Sequence, residues 1–311
     1  MTQVDYEASL FFSKINQLDK QEIFDNIKER YLSLNNSLQE GLETFFQQFS
    51  FWGKLDRKKN LYEEIQNRAT FLKEKKEDLE WLYQSLQDYR SKKILLAILK
   101  NYYYYDFSLL GSVRENCYSH YFDLDLLPSL EDAVFVDVGA YIGDTVDDFL
   151  KNFNYQYRKI YCYEVTGESF AILKDKFCLS ERIICQKKAV HDHTCKLSLT
   201  FHPTSFSANR IMEEEGEIEA ITLDEDIKEK IDFLKMDIEG SERKALIGAR
   251  KHIQEDHPYL MISVYHGFED LVEIPKLILQ WNANYQFCLR YYGNEVFPTE
   301  IVLLAIPKKS A

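Results

Sequence analysis

Two patterns of apolar positions divide the chain. From its first residues to about Tyr105, apolar side chains return every three or four positions and Pro and Gly are almost absent, a pattern that predicts helix throughout. The plainest repeat is Ile65, Leu72, Leu79 and Leu86, with Leu61 and Leu82 beside them. Spaced this way they form one stripe on a helix of roughly 30 residues, which suggests a helical hairpin or a short coiled-coil segment. The charged residues from Lys73 to Glu80 read as its solvated face. Such a stripe packs inside its own chain or pairs two copies, so a homodimer through the N-terminal helices is one expected assembly.

After about Leu130 short β-rich runs alternate with helical stretches, as in βαβ units feeding a parallel sheet. Strands are expected at Val134 to Val138, Lys159 to Glu164, Arg182 to Lys187, Asp232 to Asp237 and Tyr259 to Val264, with helices after the first, second, fourth and fifth. Tyr285 to Tyr291 and Glu300 to Ile306, separated by Gly293, Asn294 and Pro298, should close the chain as an antiparallel hairpin. Lys196 to Phe201 and Glu217 to Thr222 predict an inserted hairpin between the third and fourth strands. The expected fold is therefore α/β: a Rossmann-like, doubly wound, mostly parallel seven-stranded sheet with an antiparallel C-terminal hairpin, preceded by an all-α region. The division is placed at residues 1–125 and 126–311.

Composition narrows the class. At 311 residues the chain can bury a sizeable core. A formal net charge of -13, with no local basic patch, argues against a nucleic-acid partner, because phosphates would be repelled. No apolar run approaches the length of about 18 residues that a membrane span needs, and the first 30 residues mix Asp, Glu and Lys, so a cytoplasmic protein without a membrane span is expected. Cys117, Cys162, Cys178, Cys185, Cys195 and Cys288 lie at irregular spacings without a Cys-x-x-Cys pair, and read as reduced thiols.

The first strand carries the chemistry. Val134-Phe-Val-Asp137-Val-Gly139-Ala-Tyr-Ile-Gly143-Asp144-Thr145 is an apolar strand running through two glycines into an amphipathic helix containing Val146, Phe149 and Leu150. Glycine lets the backbone turn tightly and leaves room for a ligand, while the helix start offers N–H groups and a partial positive charge suited to a carboxylate. Asp137 at the strand end is a natural acceptor for an ammonium group, which a dinucleotide pyrophosphate lacks. The spacing Gly139-x-x-x-Gly143 is neither the Gly-x-Gly-x-x-Gly of dinucleotide binders nor a phosphate loop. The second strand, Ile160-Tyr-Cys-Tyr-Glu164, ends in a carboxylate about 20 residues beyond the glycines, where a ribose diol would be held.

Together these residues resemble the FkbM-type methyltransferases, enzymes that move a methyl group from S-adenosylmethionine to an oxygen. The resemblance rests on Phe135 to Thr145, Thr222-Leu-Asp224, Phe233-Leu-Lys-Met-Asp237-Ile-Glu239-Gly240-Ser241-Glu242, Gly248-Ala249, Pro258 to His266, and Glu269-Asp270-Leu271. It runs from about Arg90 to the end. Val165-Thr166 stands where the family commonly has Glu-Pro, and Ser205-Phe-Ser-Ala-Asn209-Arg210 fits its serine-rich segment loosely. The resemblance implies S-adenosylmethionine as cofactor, with Asp137, Gly139 and Gly143 at the methionine part and Glu164 at the ribose. It further implies cofactor contacts at Ala140, Tyr141, Asp144, Thr145, Val165, Ala189 and Asp237, and a saccharide or other small hydroxylated acceptor.

Methyl transfer is an in-line displacement that needs alignment and a proton acceptor for the attacking hydroxyl. Asp237 and Glu239, two apart at the end of a middle strand, would point to one side if the strand persists that far. The same segment could instead be a helix start capped by Ser241. His266, after the fifth strand, is the preferred general base, since imidazole titrates near neutral pH; a hydrogen-bonded loop histidine is the plainer reading.

No metal is required by this chemistry, although carboxylate oxygens at Asp237 and Glu239 would suit magnesium. His191-Asp-His193-x-Cys195, with His202 nearby, has enough ligand types for a metal, but on one extended segment it would need further ligands from elsewhere. Tyr102 to Tyr105 cannot all point one way, so they are expected mostly in the core with one or two free to border an acceptor. Glu213 to Glu219 reads as a solvated acidic loop. Two rival functions remain at this stage: a nucleotide-cofactor oxidoreductase on the same fold, disfavoured by the missing third glycine, and a non-catalytic binding protein using its helical half.

Overall fold

The structure is a computed structural model and describes residues 2–200, 209–212, 214 and 216–308. The first part folds as α1 (Gln3–Gln17), α2 (Lys20–Ser33), α3 (Asn36–Gln48), short strands β1 (Leu55–Asp56) and β2 (Leu61–Tyr62), then α4 (Glu63–Glu74), α5 (Lys76–Ser85), α6 (Tyr89–Tyr104) and α7 (Phe107–Val113). The expected 30-residue helix is corrected here: Leu61 lies in β2, Leu86 is the extended residue after α5, and the chain breaks at Lys75. At the break Lys75 reaches Glu273 at 2.5 Å. The stripe is nevertheless buried within its own chain, Ile65, Leu72, Leu79, Leu82 and Leu86 being at most 3% exposed. Beneath the tyrosine run, the fully buried Arg68 is paired with Glu64, donates to the Asn101 carbonyl at 3.0 Å and lies 4.4 Å from the Tyr105 ring centre. Tyr102, Tyr103 and Tyr105 are core residues.

The second part continues as β3 (Val134–Val138), α8 (Asp144–Asn152), β4 (Lys159–Tyr163), α9 (Gly167–Lys176), β5 (Ile183–Gln186), β6 (Ala189–Val190), β7 (Cys195–Thr200), β8 (Arg210–Met212), β9 (Ile218–Ile221) and α10 (Leu223–Asp226). It ends with β10 (Phe233–Met236), α11 (Glu242–Ile247), α12 (Arg250–Glu255), β11 (Tyr259–Ser263), α13 (Asp270–Trp281), β12 (Tyr285–Tyr291) and β13 (Ile301–Pro307). The seven-stranded sheet has the order β12-β13-β11-β10-β3-β4-β5. Its β10, β11, β3, β4 and β5 pairs are parallel, and β13 runs antiparallel to β11. The expected insertion is present as the antiparallel pair β7 and β9, extended to a four-stranded sheet β6-β9-β7-β8.

Two compact units do not follow the linear division expected at 125/126. A helical unit comprises 1–115, 264–275 and 287–301; an α/β unit comprises 116–263, 276–286 and 302–311. Side-chain chemistry explains why the late segments join the helices. Phe297 packs edge-on to Phe46 at 5.0 Å, the Trp52 ring nitrogen donates to the Tyr265 carbonyl at 3.0 Å, and Arg290 meets Asp88 at 3.1 Å. In the α/β unit, Phe135 stacks on Phe149 at 4.4 Å and Phe149 on Phe153 at 4.6 Å, with Phe122 and Phe233 closing the cluster under the sheet.

Candidate active site at the switch point of the sheet

In the sheet β3 has β4 on one side and β10 on the other, so the chain reverses its lateral direction between β3 and β10. Ligands of open α/β sheets bind in the crevice at the carboxyl ends of such strands. Asp137 on β3 and Lys235 on β10 are direct cross-strand partners in the register. Their side chains meet at 2.9 Å, and both are buried. Lys235 also donates to the Gly139 carbonyl at 2.7 Å. Burial pushes the Asp137 carboxyl up to about 6, against the pull of Lys235. Burial also works against the Lys235 ammonium, yet Asp137, Asp237 and Asp144 around it keep its pKa above the ordinary value. Asp137 thus faces an ammonium, as its residue type suggested, but the ammonium is that of Lys235.

The glycines serve the protein's own packing. Gly139 has φ +80°, and a Cβ there would lie 1.9 Å from the Asp237 carbonyl oxygen; at Gly143, φ +78°, it would lie 2.5 Å from the Phe177 ring. The direction that a side chain would take at these two points is filled by neighbouring chain. Between them Tyr141 (φ +47°) is exposed and Ala140 buried, and at the start of α8 Asp144 is exposed and Thr145 half-buried. Gly143 contributes no side-chain cap to α8, so the first helical amides there are not capped from their own N-cap residue. Glu164 directly follows β4, with one oxygen 2.9 Å from the Tyr141 amide and the other 2.6 Å from the Thr166 amide, and burial raises its pKa. Val165 and Ala189 pack in one small apolar cluster with Leu197 and Ala220.

Beyond β10 the strand does not persist, which corrects the expectation that alternation aligns Asp237 with Glu239. The strand ends at Met236, and Glu239 sits in a turn with φ +57°, followed by Gly240 at φ +98°. A left-handed residue ends the two-residue alternation of a strand. Ser241 makes no capping hydrogen bond either; the buried Glu242 carboxylate reaches back to accept from the Ile238 amide at 2.8 Å.

A partner of Asp237 comes from a segment without a pattern of its own in the sequence. The Tyr121 hydroxyl donates to Asp237 Oδ2 at 2.6 Å and lies 3.5 Å from Ser263 Oγ at the end of β11. Tyr121 is held by φ +72° between Phe122, which enters the phenylalanine cluster, and His120, whose ring stacks on it at 4.0 Å. Lys235 lies 5.2 Å from the same phenol ring centre. Burial holds the His120 imidazole down to about 4, so it is neutral at pH 7. Cys117-Tyr-Ser-His120-Tyr121-Phe122 has no periodicity; its only signal is the density of polar aromatics a dozen residues before the first strand.

His266 is buried and belongs to the helical unit, its ring 4.1 Å from that of Tyr265. Ser205 to Ala208 and His202 lie outside the described residues; Asn209 is buried and bonds Thr166 at 3.2 Å.

Residues 137–287 match the model of the methyltransferase FkbM domain, from the acid of β3 through the third residue of β12. The match spans a little under half of the chain, and residues 137–287 are similar to an FkbM methyltransferase domain. No curated protein sequence matches the chain. Among solved structures, the FkbM methyltransferase of Methylobacillus flagellatus is similar over 79% of this chain at 24% identity and a TM-score of 0.66. That likeness shows the fold, and the chain spans 62% of that protein. Fibrillarin from Methanococcus jannaschii is similar over 60% of this chain and 70% of its own, with 14% identity and a TM-score of 0.39. Aeropyrum pernix fibrillarin, solved with natively bound S-adenosyl-L-methionine, covers 58% and 69% at 11% identity and a TM-score of 0.38. Among the described residues, no helix is long and apolar enough to cross a membrane.

Proposed function

We propose that the α/β unit binds S-adenosylmethionine at the switch point and directs its methyl group to a hydroxyl oxygen of a saccharide or other small hydroxylated acceptor. The observation that carries this reading is Asp237: a carboxylate just past β10, oriented by the Tyr121 hydroxyl, at the strand ends where α/β sheets hold ligands. The donor set fits the group. A turn at Tyr141 to Asp144 precedes helical amides suited to an aminoacyl carboxylate, and Glu164 stands at the end of β4 where a ribose diol would lie. In this reading Gly139, Ala140, Tyr141, Gly143, Asp144 and Thr145 line the methionine part. Val165 and Ala189 border the base, and Asp137 acts by fixing Lys235.

When bound, S-adenosylmethionine supplies an electrophilic methyl on a sulfonium. The protein's part is to align an oxygen with it and to accept that oxygen's proton. Asp237 takes that part: Tyr121 occupies one of its oxygens, and a carboxylate has acceptor capacity beyond one hydrogen bond. Glu239 is proposed as a further proton acceptor, while His266, the general base expected from the sequence, belongs to the helical unit.

Isothermal titration with S-adenosylmethionine and its demethylated product tests the cofactor reading. Both should bind wild type, and Glu164→Gln should weaken binding at least tenfold. Absence of heat with either compound overturns it. A screen of carbohydrates and small hydroxylated metabolites for product release then tests the acceptor; methyl recovered only on nitrogen or carbon would sink the oxygen assignment.

A further inference from the structure

The turn between β6 and β7 folds back on itself where the sequence suggested one extended segment. His191, His193 and Cys195 each place one ligand atom within 4.8 Å of the other two. Asp192 sits on the Nδ1 edge of both rings, at 2.7 Å from His191 and 2.5 Å from His193, and the rings are 5.1 Å apart. A carboxylate on the ring edge is what orients histidines in metal sites.

The backbone under these side chains is held at several points. The His191 amide donates to the Ile221 carbonyl at 2.8 Å, and its own carbonyl lies so close to Gly248 that a Cβ there would be 1.9 Å away. The Thr194 hydroxyl donates to Glu225 at 2.7 Å, and Cys195 opens β7 opposite Ala220 of β9. The three donors are therefore presented by a turn tied to β9 and α10, and little chain ordering accompanies their closing on an ion. One side of the cluster is buried at His191 and the other open at His193, which leaves an entry path.

We propose that His191, His193 and Cys195 bind a borderline divalent transition metal, zinc above all, with water completing a four-coordinate site. Two imidazoles and a thiolate are the ligand set of zinc, and hard cations such as magnesium would not select it. Binding forms two metal–nitrogen bonds and one metal–sulfur bond, and the Cys195 thiol proton leaves to solvent. The site rests on residues outside the crevice between β3 and β10, so it stands or falls independently of the methyl-transfer reading.

The test uses the full chain after chelator treatment, titrated with zinc alone in a calorimeter and with cobalt(II) in a spectrophotometer. Wild type should bind one equivalent of each, and the cobalt form should show a sulfur-to-metal charge-transfer band. Cys195→Ser should abolish that band. His193→Ala, at an exposed position that leaves the fold intact, should weaken zinc at least tenfold, and Asp192→Asn should weaken it about 10- to 100-fold through loss of ring orientation. No binding by folded wild type, or binding unchanged in the His193→Ala and Cys195→Ser double variant, overturns the proposal.

Discussion

Tyr121 and Asp237, 116 residues apart in sequence, are joined by a 2.6 Å hydrogen bond at the switch point of the sheet. The bond exists because Phe122 is anchored in the phenylalanine cluster and the left-handed backbone of Tyr121 turns its ring the other way. A hydroxyl that donates to a carboxylate favours the charged form.

Replacing Tyr121 with Phe keeps the stack on His120 and removes only the donor. A hydrogen bond to a charged group contributes about 1.5–3 kcal/mol, so methyl transfer by Tyr121→Phe should fall roughly ten- to a hundredfold at neutral pH. With the charged form less favoured, the acidic limb of its pH–rate profile should move to higher pH. An unchanged profile and rate would show that Tyr121 only fills space.

Lys235→Met should destabilise the protein by about 3–5 kcal/mol, because it strands the buried Asp137 carboxylate without its partner. Adding Asp137→Leu should recover most of that loss, since an apolar pair carries no buried charge. Urea unfolding of the two single variants and the double variant closes the cycle.

Gly139→Ala should cost about 2–5 kcal/mol, combining a strained left-handed residue with a clash against the Asp237 carbonyl. Because the displaced atom belongs to the residue proposed to face the acceptor, cofactor titration should weaken along with the urea midpoint. A variant as stable as wild type would show that β3 and β10 approach less closely.

His120 gives a pH dependence with a defined sign. Its folded pKa, near 4, lies below the ordinary 6.5, so the unfolded chain binds the proton more readily. The stability from a neutral His120 is complete above pH 6.5 and declines as pH falls toward about 4. Asp137, raised from 3.8 to about 6, works oppositely: its stability contribution falls as pH rises from about 4 to 6. The difference between wild type and His120→Phe isolates the histidine, and that difference should shift toward the variant on acidification from pH 6.5 to 4. Unfolding curves across this range, with the imidazole followed by NMR, check both statements.

Elements governed by neighbours in sequence were legible from the chain alone. Five parallel strands, the two late β-runs and the insertion announced themselves by short apolar runs between turn residues, and the order of acids and glycines around β3 pointed to the family before any fold was seen. Helix length was less so: the stripe from Ile65 to Leu86 shows no mark of the break at Lys75, a residue whose ion-pair partner Glu273 lies some 200 residues later. Nor could strand alternation reveal that β10 stops at Met236, since the buried Glu242 ties down the following turn.

The sequence by itself thus determined which segments become strands and that acids and glycines gather at the first β-to-α turn, because backbone propensity and residue spacing are local properties. Only the tertiary structure decided what each of those groups touches. Lys235 became the partner of Asp137, Gly139 the seat of a carbonyl and Tyr121 the donor to Asp237, because buried charges and orphaned donors take whichever partner the sheet brings within reach, however distant along the chain.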